Sequence, residues 1–331
     1  MSLEPVSRRR AIAILAATAA GFAAAEADHA RMPIDYEWRG LSMGSYARIL
    51  FCGIDSGTAR ALTAMAVAEI DRLEGALSLF RSDSEIRRLN RARILHAPSG
   101  DMRRALALAL AVADATDGLF DPTVQALWEA HVNWFAAAPA AGLPPQSFLE
   151  AARAAVDWKH IALAGDSIEL GPRQRITLNG LGQGYVTDRV ADLLRQRGLQ
   201  HVLVDLGEQR ALGPARGGAP WVIARTGKKP FKLTSGALAT SEGAGCILGA
   251  AGAAHHLFDP RTGRSAAHWR TVTVHHSSAA VADALSTAFY AASAAEIPRL
   301  LCRIPGAAIS AIDCDGRERR WNFDQVDGVS I

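Results

Sequence analysis

Residues 176–198, ITLNGLGQGYVTDRVADLLRQRG, constrain the fold more than any other stretch, because three alternating glycines precede an amphipathic run. The glycines are Gly180, Gly182 and Gly184. The pattern predicts a short strand over residues 176–178, then a glycine loop, then a helix. This geometry directs backbone N–H groups and a helix N-terminus at an anion.

Two well-known phosphate-binding patterns fit the loop poorly. Its spacing is G-x-G-x-G rather than G-x-G-x-x-G, and Asp205 lies too far along the chain to be a ribose-binding acid. A P-loop is excluded because the loop contains no lysine and has Gln183 at its centre. Taken alone, the loop favours a packing turn between strand and helix. Asp188 is then an acid of the first helical turn that complements the helix dipole.

The length and the order of the predicted elements indicate one large α+β domain. The chain has 331 residues, of which 49% are hydrophobic, so it can bury a substantial core. Apolar residues at helical spacing predict a helix over residues 58–77, and Ser82 with Glu85 has the spacing of a capping box. Strands and helices do not alternate strictly, which favours an α+β class over a doubly wound sheet.

The first thirty residues have the pattern of a cleaved export signal. Arg8 to Arg10 precede an apolar, alanine-rich stretch from Ala11 to Ala25. Paired arginines after Ser7 are typical of the twin-arginine route, and the apolar run is too short for a stable membrane span. We therefore expect a signal peptide over residues 1–30, a domain over residues 31–331 and a periplasmic location, with a membrane anchor as the alternative.

The charge distribution gives little support to a nucleic-acid partner. The net charge is +3, and Glu4 with Arg8 to Arg10 accounts for +2 of it, so a chain cleaved directly after these residues is close to neutral. No basic stripe interleaved with aromatic residues is present. The four cysteines are scattered without a C-x-x-C motif, which favours buried thiols over a readable disulfide pattern.

Two further segments carry groups capable of chemistry. In VADALSTA, Asp283 and Thr287 share one helix face and could bind a hard cation together with backbone and substrate oxygens, or could be structural. In HHLFDPRTG, one of the adjacent histidines His255 and His256 could act as a general base, or both could lie at a strand end before a hairpin turn. A zinc site formed with a second histidine pair is disfavoured, because adjacent strand residues face opposite sides.

The motifs are specific when taken together and in order. They are MGS, SLFRSDSEIRRLN, DGLFDPTV, LNGLGQGYVTDRVADLL, LVDLGEQRALG, ALATSEG, HHLFDPRTG and VADALSTA. On these motifs the chain resembles the ApbE family of FAD:protein FMN transferases. The TLNGLGQGY variant and the export signal make it most similar to the NosX-type subgroup, which serves nitrous oxide respiration.

The resemblance implies a fold and a set of site residues. The fold is α+β, with mixed sheets and flanking helices in two lobes. The implied positions that bind FAD are Met43, Phe80, Leu119, Phe120, Asp121, Thr177, Gln183 and Phe258. The implied ligands of Mg²⁺ are the side chains of Asp283 and Thr287 and the carbonyl of Gly180. The implied catalytic residues are Asp283 and His256, the latter assisting proton transfer.

The implied activity is Mg²⁺-dependent transfer of FMN from FAD to a Thr or Ser hydroxyl of a partner flavoprotein, with release of AMP. The implied partner is a NosR-like protein with an FMN-binding domain. An FAD pyrophosphatase and a non-catalytic periplasmic FAD-binding protein remain alternatives. Thr177 and Gln183 replace the usual aspartate and lysine, and DLGEQR replaces the usual Gly-Gly-Asp, which makes Glu208 a candidate for the missing acid.

Overall fold

A computed structural model describes residues 34–137, 142–225, 227–249, 252 and 254–331. The predicted signal peptide lies outside the described residues. In the described part of the chain no helix is both long and apolar enough to cross a bilayer.

The described residues form eight α-helices and eighteen strands. The helices are α1 (Ser56–Leu77), α2 (Glu85–Ala92), α3 (Gly100–Ala115), α4 (Gln125–Ala137), α5 (Gln146–Arg153), α6 (Asn179–Gln196), α7 (Ala279–Ala291) and α8 (Ile297–Leu301). The strands are β1 (Tyr36–Ser42), β2 (Ser45–Phe51), β3 (Ile94–His96), β4 (Ala162–Ala164), β5 (Ser167–Glu169), β6 (Val202–Asp205), β7 (Gln209–Leu212), β8 (Trp221–Ile223), β9 (Phe231–Leu233), β10 (Gly236–Glu242), β11 (Ile247–Leu248), β12 (Ala254–His255), β13 (Phe258–Asp259), β14 (Arg264–Ser265), β15 (Thr271–His276), β16 (Ala308–Ile312), β17 (Glu318–Trp321) and β18 (Val329–Ser330).

An eight-stranded sheet in the order β1-β2-β6-β7-β10-β15-β16-β17 forms the centre of the molecule. Its strand pairs are all antiparallel. Alternate residues of β2 belong to two different cores: Ile49 and Phe51 lie in the larger one, and Leu50 lies in the smaller one. This alternation follows from the two-residue period of a strand, and it shows that both faces of the sheet are covered.

The two faces have different coverings. Helices α1, α3, α6 and α7 contribute to the larger core, in which Leu73, Leu194 and Phe289 are fully buried. On the other face, Trp221 and Phe231 of the small sheet β18-β9-β8 join the smaller core. Strands and helices are therefore mixed without regular alternation, and the predicted α+β class is confirmed.

The predicted strand over residues 176–178 is wrong. The segment belongs to no strand: the Ile176 N–H donates to the Asn90 side chain at 2.7 Å and the Thr177 N–H to the Pro122 carbonyl at 2.8 Å. The glycines after it belong to α6 rather than to a loop, although Gly180 departs from helical dihedrals (φ −86°, ψ 18°). Non-local hydrogen bonds thus decided the local conformation.

Two smaller expectations also need correction. Helix α2 begins after Ser84, whose hydroxyl accepts from the Arg87 N–H, so Ser84 rather than Ser82 is the N-cap. The described cysteines form no disulfide, as favoured, but Cys302 and Cys314 are exposed rather than buried. The predicted helix over residues 58–77 is confirmed as α1, which Asp55 caps by accepting from two backbone N–H groups.

Candidate active site

Helices α6 and α7 approach each other too closely for side chains at the contact. A Cβ at Gly184 would lie 2.2 Å from the Ala279 carbonyl oxygen, and one at Gly180 would lie 2.9 Å from Thr287 Oγ1. Glycine is therefore required for this contact at Gly184, where the obstacle is backbone. The sequence favoured a packing turn between strand and helix; the glycines instead pack helix against helix and bring α6 against the face of α7 that carries Thr287.

Asp283 lies at the same contact. Its side chain is buried, and its Oδ2 accepts a hydrogen bond from the Gly184 N–H at 3.1 Å. In an ideal helix the Gly184 N–H would donate to the Gly180 carbonyl. Gly180 departs from helical dihedrals, so its carbonyl is available to a partner outside the helix. Burial raises the pKa of Asp283 to about 7.

A second buried acid, Glu208, lies in the turn between β6 and β7. Its Oε2 accepts from the Thr240 N–H at 3.2 Å, and its own carbonyl accepts from the Thr187 hydroxyl at 3.3 Å. Burial raises the pKa of Glu208 well above its ordinary value, and the negative charge of Asp283 raises it further. The two carboxyl groups are therefore close enough to repel each other.

The hairpin turn of β1 and β2 closes over the start of α6. Met43 and Gly44 both have positive φ, as a two-residue hairpin requires, and the Met43 N–H donates to Glu74 Oε1 at 2.6 Å. The Met43 side chain is buried against Gly182, where a Cβ would lie 3.0 Å from its methyl carbon. The ring of Phe80 lies against Gly44 and remains 61% exposed, so it offers an apolar surface beside the turn.

Gln183 connects two turns of the protein. Its Nε2 donates to Ser45 Oγ at 2.7 Å, and its amide lies close to the backbone of Gly207, where a Cβ would be 2.7 Å from the amide carbon. The sequence assigned Gln183 a contact with FAD. The structure directs its amide nitrogen at the β1–β2 turn, so Gln183 positions that turn against the β6–β7 turn.

The segment from Leu119 to Asp121 reaches the same region from another side. The Phe120 ring lies against Gly180, 3.4 Å from the position of a Cβ there. Asp121 is buried and accepts from the N–H and hydroxyl of Thr123 and from the Trp158 N–H. Burial raises the pKa of Asp121, and these bonds show that its carboxyl holds a turn together.

Thr177 joins this segment to α6. Its N–H donates to Pro122, and its hydroxyl accepts from the Asn179 N–H at 3.1 Å, next to the start of the helix. Thr177, Phe120 and Gly180 are thus neighbours in space as well as in the implied FAD site.

His256 lies in the bend between β12 and β13, and Phe258 is the first residue of β13. Burial lowers the pKa of His256 to about 4, so its ring is neutral near pH 7. Its Nδ1 faces the Cys246 carbonyl at 3.3 Å, which assigns the proton to Nδ1 and leaves Nε2 as a proton acceptor. Phe258 packs on His131 with ring centroids 4.6 Å apart, and no contact between it and Phe80 was found among the described residues.

Contacts with α7 connect this segment to the glycines of α6. Tyr290, one turn beyond Thr287, accepts from the Gly243 N–H at 3.2 Å, and its ring meets that of His255 edge-on. Sequence reasoning missed Tyr290, and no pattern in the sequence marks it. His255 is engaged in structure, because its Nε2 donates to the Ala266 carbonyl at 2.8 Å.

Asp188 has a different role from the one the sequence gave it. It accepts from the Ala279 and Ala280 N–H groups and from the Ser278 hydroxyl, so it caps α7 rather than its own helix. Arg210 pairs with it at 2.6 Å. Asp188 thereby fixes the end of the helix that carries Asp283 and Thr287.

Comparison with known proteins identifies relatives over most of the chain. A sequence model of the ApbE family matches residues 43–310. The FAD:protein FMN transferase of Salmonella typhimurium is 28% identical over 253 residues, which cover 69% of this chain and 70% of the relative. The FAD:protein FMN transferase of Vibrio cholerae is 30% identical over 240 residues, which cover 66% and 71%.

Solved structures with the same fold are also found. The ApbE protein of Thermotoga maritima aligns with a TM-score of 0.76 and 25% identity, over 86% of this chain and 96% of that one. The flavinyl transferase ApbE of Pseudomonas stutzeri, in its apo form, aligns with a TM-score of 0.73 and 25% identity, over 89% and 97%. Because the family match spans most of the chain, this protein belongs to the ApbE family.

Proposed function

We propose that this chain transfers the FMN part of FAD to a serine or threonine hydroxyl of a partner protein and releases AMP. The observation that carries the proposal is the family match over residues 43–310, which includes the contact where Gly180, Asp283 and Thr287 meet. Relatives that match over two thirds of their length have the name FAD:protein FMN transferase. The proposed substrates are therefore FAD and a protein acceptor.

The residues at the α6–α7 contact fit a hard divalent cation such as Mg²⁺. Asp283 is buried with one hydrogen bond, and the absence of a side chain at Gly180 lets the α6 backbone lie against the Thr287 hydroxyl. A carboxylate, a hydroxyl and a backbone carbonyl are oxygen donors of the kind that Mg²⁺ prefers, with water and phosphate oxygens completing its shell. Held there by Asp283, Thr287 and the Gly180 carbonyl, Mg²⁺ would offset charge on the FAD pyrophosphate.

The remaining binding groups surround this contact. The N-terminus of α6 adds positive potential, which favours a pyrophosphate next to it. The Met43–Gly44 turn, the exposed ring of Phe80 and the ring of Phe120 offer apolar surfaces for FAD. Positioning and charge complementarity supply most of the rate in such transfers.

His256 is the proposed base. The partner hydroxyl oxygen attacks the FMN-side phosphorus, the bond to the AMP phosphate breaks, and the hydroxyl proton passes to His256 Nε2. The low pKa of His256 keeps the ring neutral and ready to accept that proton.

The cellular setting is a finer part of the proposal. The twin-arginine pattern at Ser7 to Arg10 supports export to the periplasm, and the TLNGLGQGY variant supports a NosX-type role. The acceptor would then be a NosR-like flavoprotein with an FMN-binding domain, matured for nitrous oxide reduction.

A single incubation tests the activity. The purified chain, FAD and Mg²⁺ are mixed with a recombinant FMN-binding domain, and the acceptor is examined by mass spectrometry and in-gel flavin fluorescence. We expect the acceptor to gain the mass of FMN minus water. Free FMN with an unmodified acceptor would show a pyrophosphatase, and intact FAD would show a binding protein; either result contradicts the proposal.

The metal assignment has its own test. We expect Asp283→Ala to lower the transfer rate about 100-fold or more, because a group that stabilises transition-state charge is lost. The control is Asp114→Asn, which changes an exposed carboxylate on α3. Transfer at the wild-type rate by Asp283→Ala in metal-depleted buffer would contradict the assignment.

A further inference from the structure

Glu208 and Asp283 are buried carboxyl groups on neighbouring segments. Glu208 accepts from the Thr240 N–H, and the next residue, Ser241, shares a hydrogen bond of 2.8 Å with Ser286 of α7, three residues after Asp283. Glu208 is 6% exposed and Asp283 is 4% exposed. Each uses one oxygen to accept from a backbone N–H, that of Thr240 and that of Gly184 respectively. Within the described residues, the second oxygen of each accepts no hydrogen bond, and no arginine or lysine pairs with either group.

The neighbouring acids show that this is not general for the region. Asp205, three residues before Glu208, is paired with Arg48 at 3.0 Å, and both side chains are buried. Asp188 lies on α6 at the N-terminus of α7, the helix that carries Asp283, and it is paired with Arg210. Asp205 and Asp188 therefore each have an arginine partner, whereas Glu208 and Asp283 have none within the part of the chain that the structure describes.

Burying two carboxylates side by side is costly unless a positive charge or a proton compensates them. The Thr287 hydroxyl lies one turn beyond Asp283, against the backbone of Gly180. A divalent cation is the compensating charge that this set of oxygen donors fits.

We propose that Glu208 supplies a second carboxylate, beside that of Asp283, for the divalent cation of the α6–α7 contact. The inference rests on the proposed function, which places the cation there with Asp283 and Thr287. Glu208 lies in DLGEQR, which replaces the Gly-Gly-Asp of the family resemblance, so Glu208 can supply the acid that this replacement removes. An additional negative ligand raises affinity for a hard cation.

The rival explanation is structural. Strand β7 pairs with β10 only as far as Gln209 opposite Leu238, so the Thr240 N–H lacks a strand partner on that side and Glu208 provides one. A protonated Glu208 would do this equally well. Glutamine has the shape of protonated glutamic acid, so Glu208→Gln separates the two explanations.

The experiment compares Glu208→Gln with Asp283→Asn and with Glu242→Gln, a control that changes an exposed acid on β10. Mn²⁺ affinity is measured by electron paramagnetic resonance, and the melting temperature is measured with and without Mg²⁺. We expect Glu208→Gln to weaken Mn²⁺ binding by about 10- to 100-fold. We also expect it to raise the melting temperature of the cation-free protein, because a repulsive pair is removed.

The outcomes separate the inference from the function on which it rests. If Glu208→Gln binds Mn²⁺ like the wild type while Asp283→Asn does not, the role of Glu208 is overturned and the metal site stands. If the wild-type protein binds no Mn²⁺, both fail. Should Glu208→Gln not fold, Glu208→Ala removes the carboxylate without adding an amide, and the same loss of affinity is expected.

Discussion

Helix α6 meets two kinds of acid: Asp101, which is buried, and Asp188, which is half-buried, both have charged or hydroxyl partners, whereas the buried Asp283 has a single backbone hydrogen bond. On one side, Tyr185 donates to Asp101 at 2.7 Å, and Asp188 pairs with Arg210 while capping α7. On the other side, the Gly184 N–H donates a single hydrogen bond to Asp283, and no arginine or lysine among the described residues pairs with this carboxyl group.

The same side chain thus has opposite consequences for stability. A buried acid that is fully bonded stabilises the fold, whereas one left with an unused oxygen costs free energy that binding can recover. The comparison predicts that changes at the compensated acids reduce stability. Changes at the uncompensated acids reduce binding.

The largest expected effect on stability comes from a substitution at the contact between α6 and α7. Gly184→Ala places a Cβ 2.2 Å from the Ala279 carbonyl oxygen, so α6 and α7 must separate, at a cost of about 3 kcal/mol of unfolding free energy. Urea unfolding followed by circular dichroism measures it.

The matched control for Gly184→Ala is a helical glycine with free space. A Cβ at Gly75 of α1 meets nothing within 4 Å, so Gly75→Ala is expected to stabilise the protein by about 0.5–1 kcal/mol. Equal effects of the two substitutions would show that the close approach of the helices has no energetic weight.

A smaller loss of stability is expected from Asp188→Asn. The substitution removes the charge that balances Arg210 and favours the α7 N-terminus, and we expect a loss of about 2 kcal/mol in the same urea experiment. If Asp188→Asn left the free energy of unfolding unchanged while Asp283→Asn lowered it strongly, the stabilising role assigned to the compensated acid would be wrong.

The smallest expected effect is the dependence of stability on pH that Asp101, a compensated acid, contributes. Burial alone would raise the pKa of Asp101, but hydrogen bonds from Tyr185, Arg104 and Arg72 outweigh it and lower the pKa to about 2. Because the folded state binds the proton less tightly than the unfolded state, this stabilisation is complete above pH ~4 and is lost as the pH falls through about 2.

Urea midpoints at pH 7, 4 and 2.5 measure this dependence. We expect the free energy of unfolding of the wild type, obtained from these midpoints, to fall between pH 4 and 2.5 by more than that of Asp101→Asn. The expected difference between the two proteins is on the order of 1 kcal/mol. Parallel curves for the two proteins would show that Asp101 does not contribute to the acid dependence.

Periodic patterns in the sequence predicted the elements, since local spacing determines which face of a helix or strand is apolar. The helix predicted over residues 58–77 is present as α1. Helix α2 was predicted with the wrong cap, because two serines stand close together and only the fold selects Ser84. The failure at residues 176–178 has the same origin, as the Asn90 side chain takes the hydrogen bond that a strand partner would have made.

The site was predictable in part. The sequence placed Asp283 and Thr287 on one face of a helix, because four residues span about one helical turn. It did not place Glu208 beside Asp283, since the turn after β6 meets α7 only through the packing of the sheet. Gln183 shows the same limit: its partner Ser45 lies 138 positions away in the chain.

The sequence by itself determined the family and the α+β class, whereas the close contact of two helices at Gly180 and Gly184 appeared only in the folded chain. The tertiary structure decided which acids are compensated. Asp188 and Asp283 look alike in sequence, as acids on helices, but one faces Arg210 and the other faces Gly184. Compensation depends on charges brought together from distant segments, and only the folded chain sets those distances.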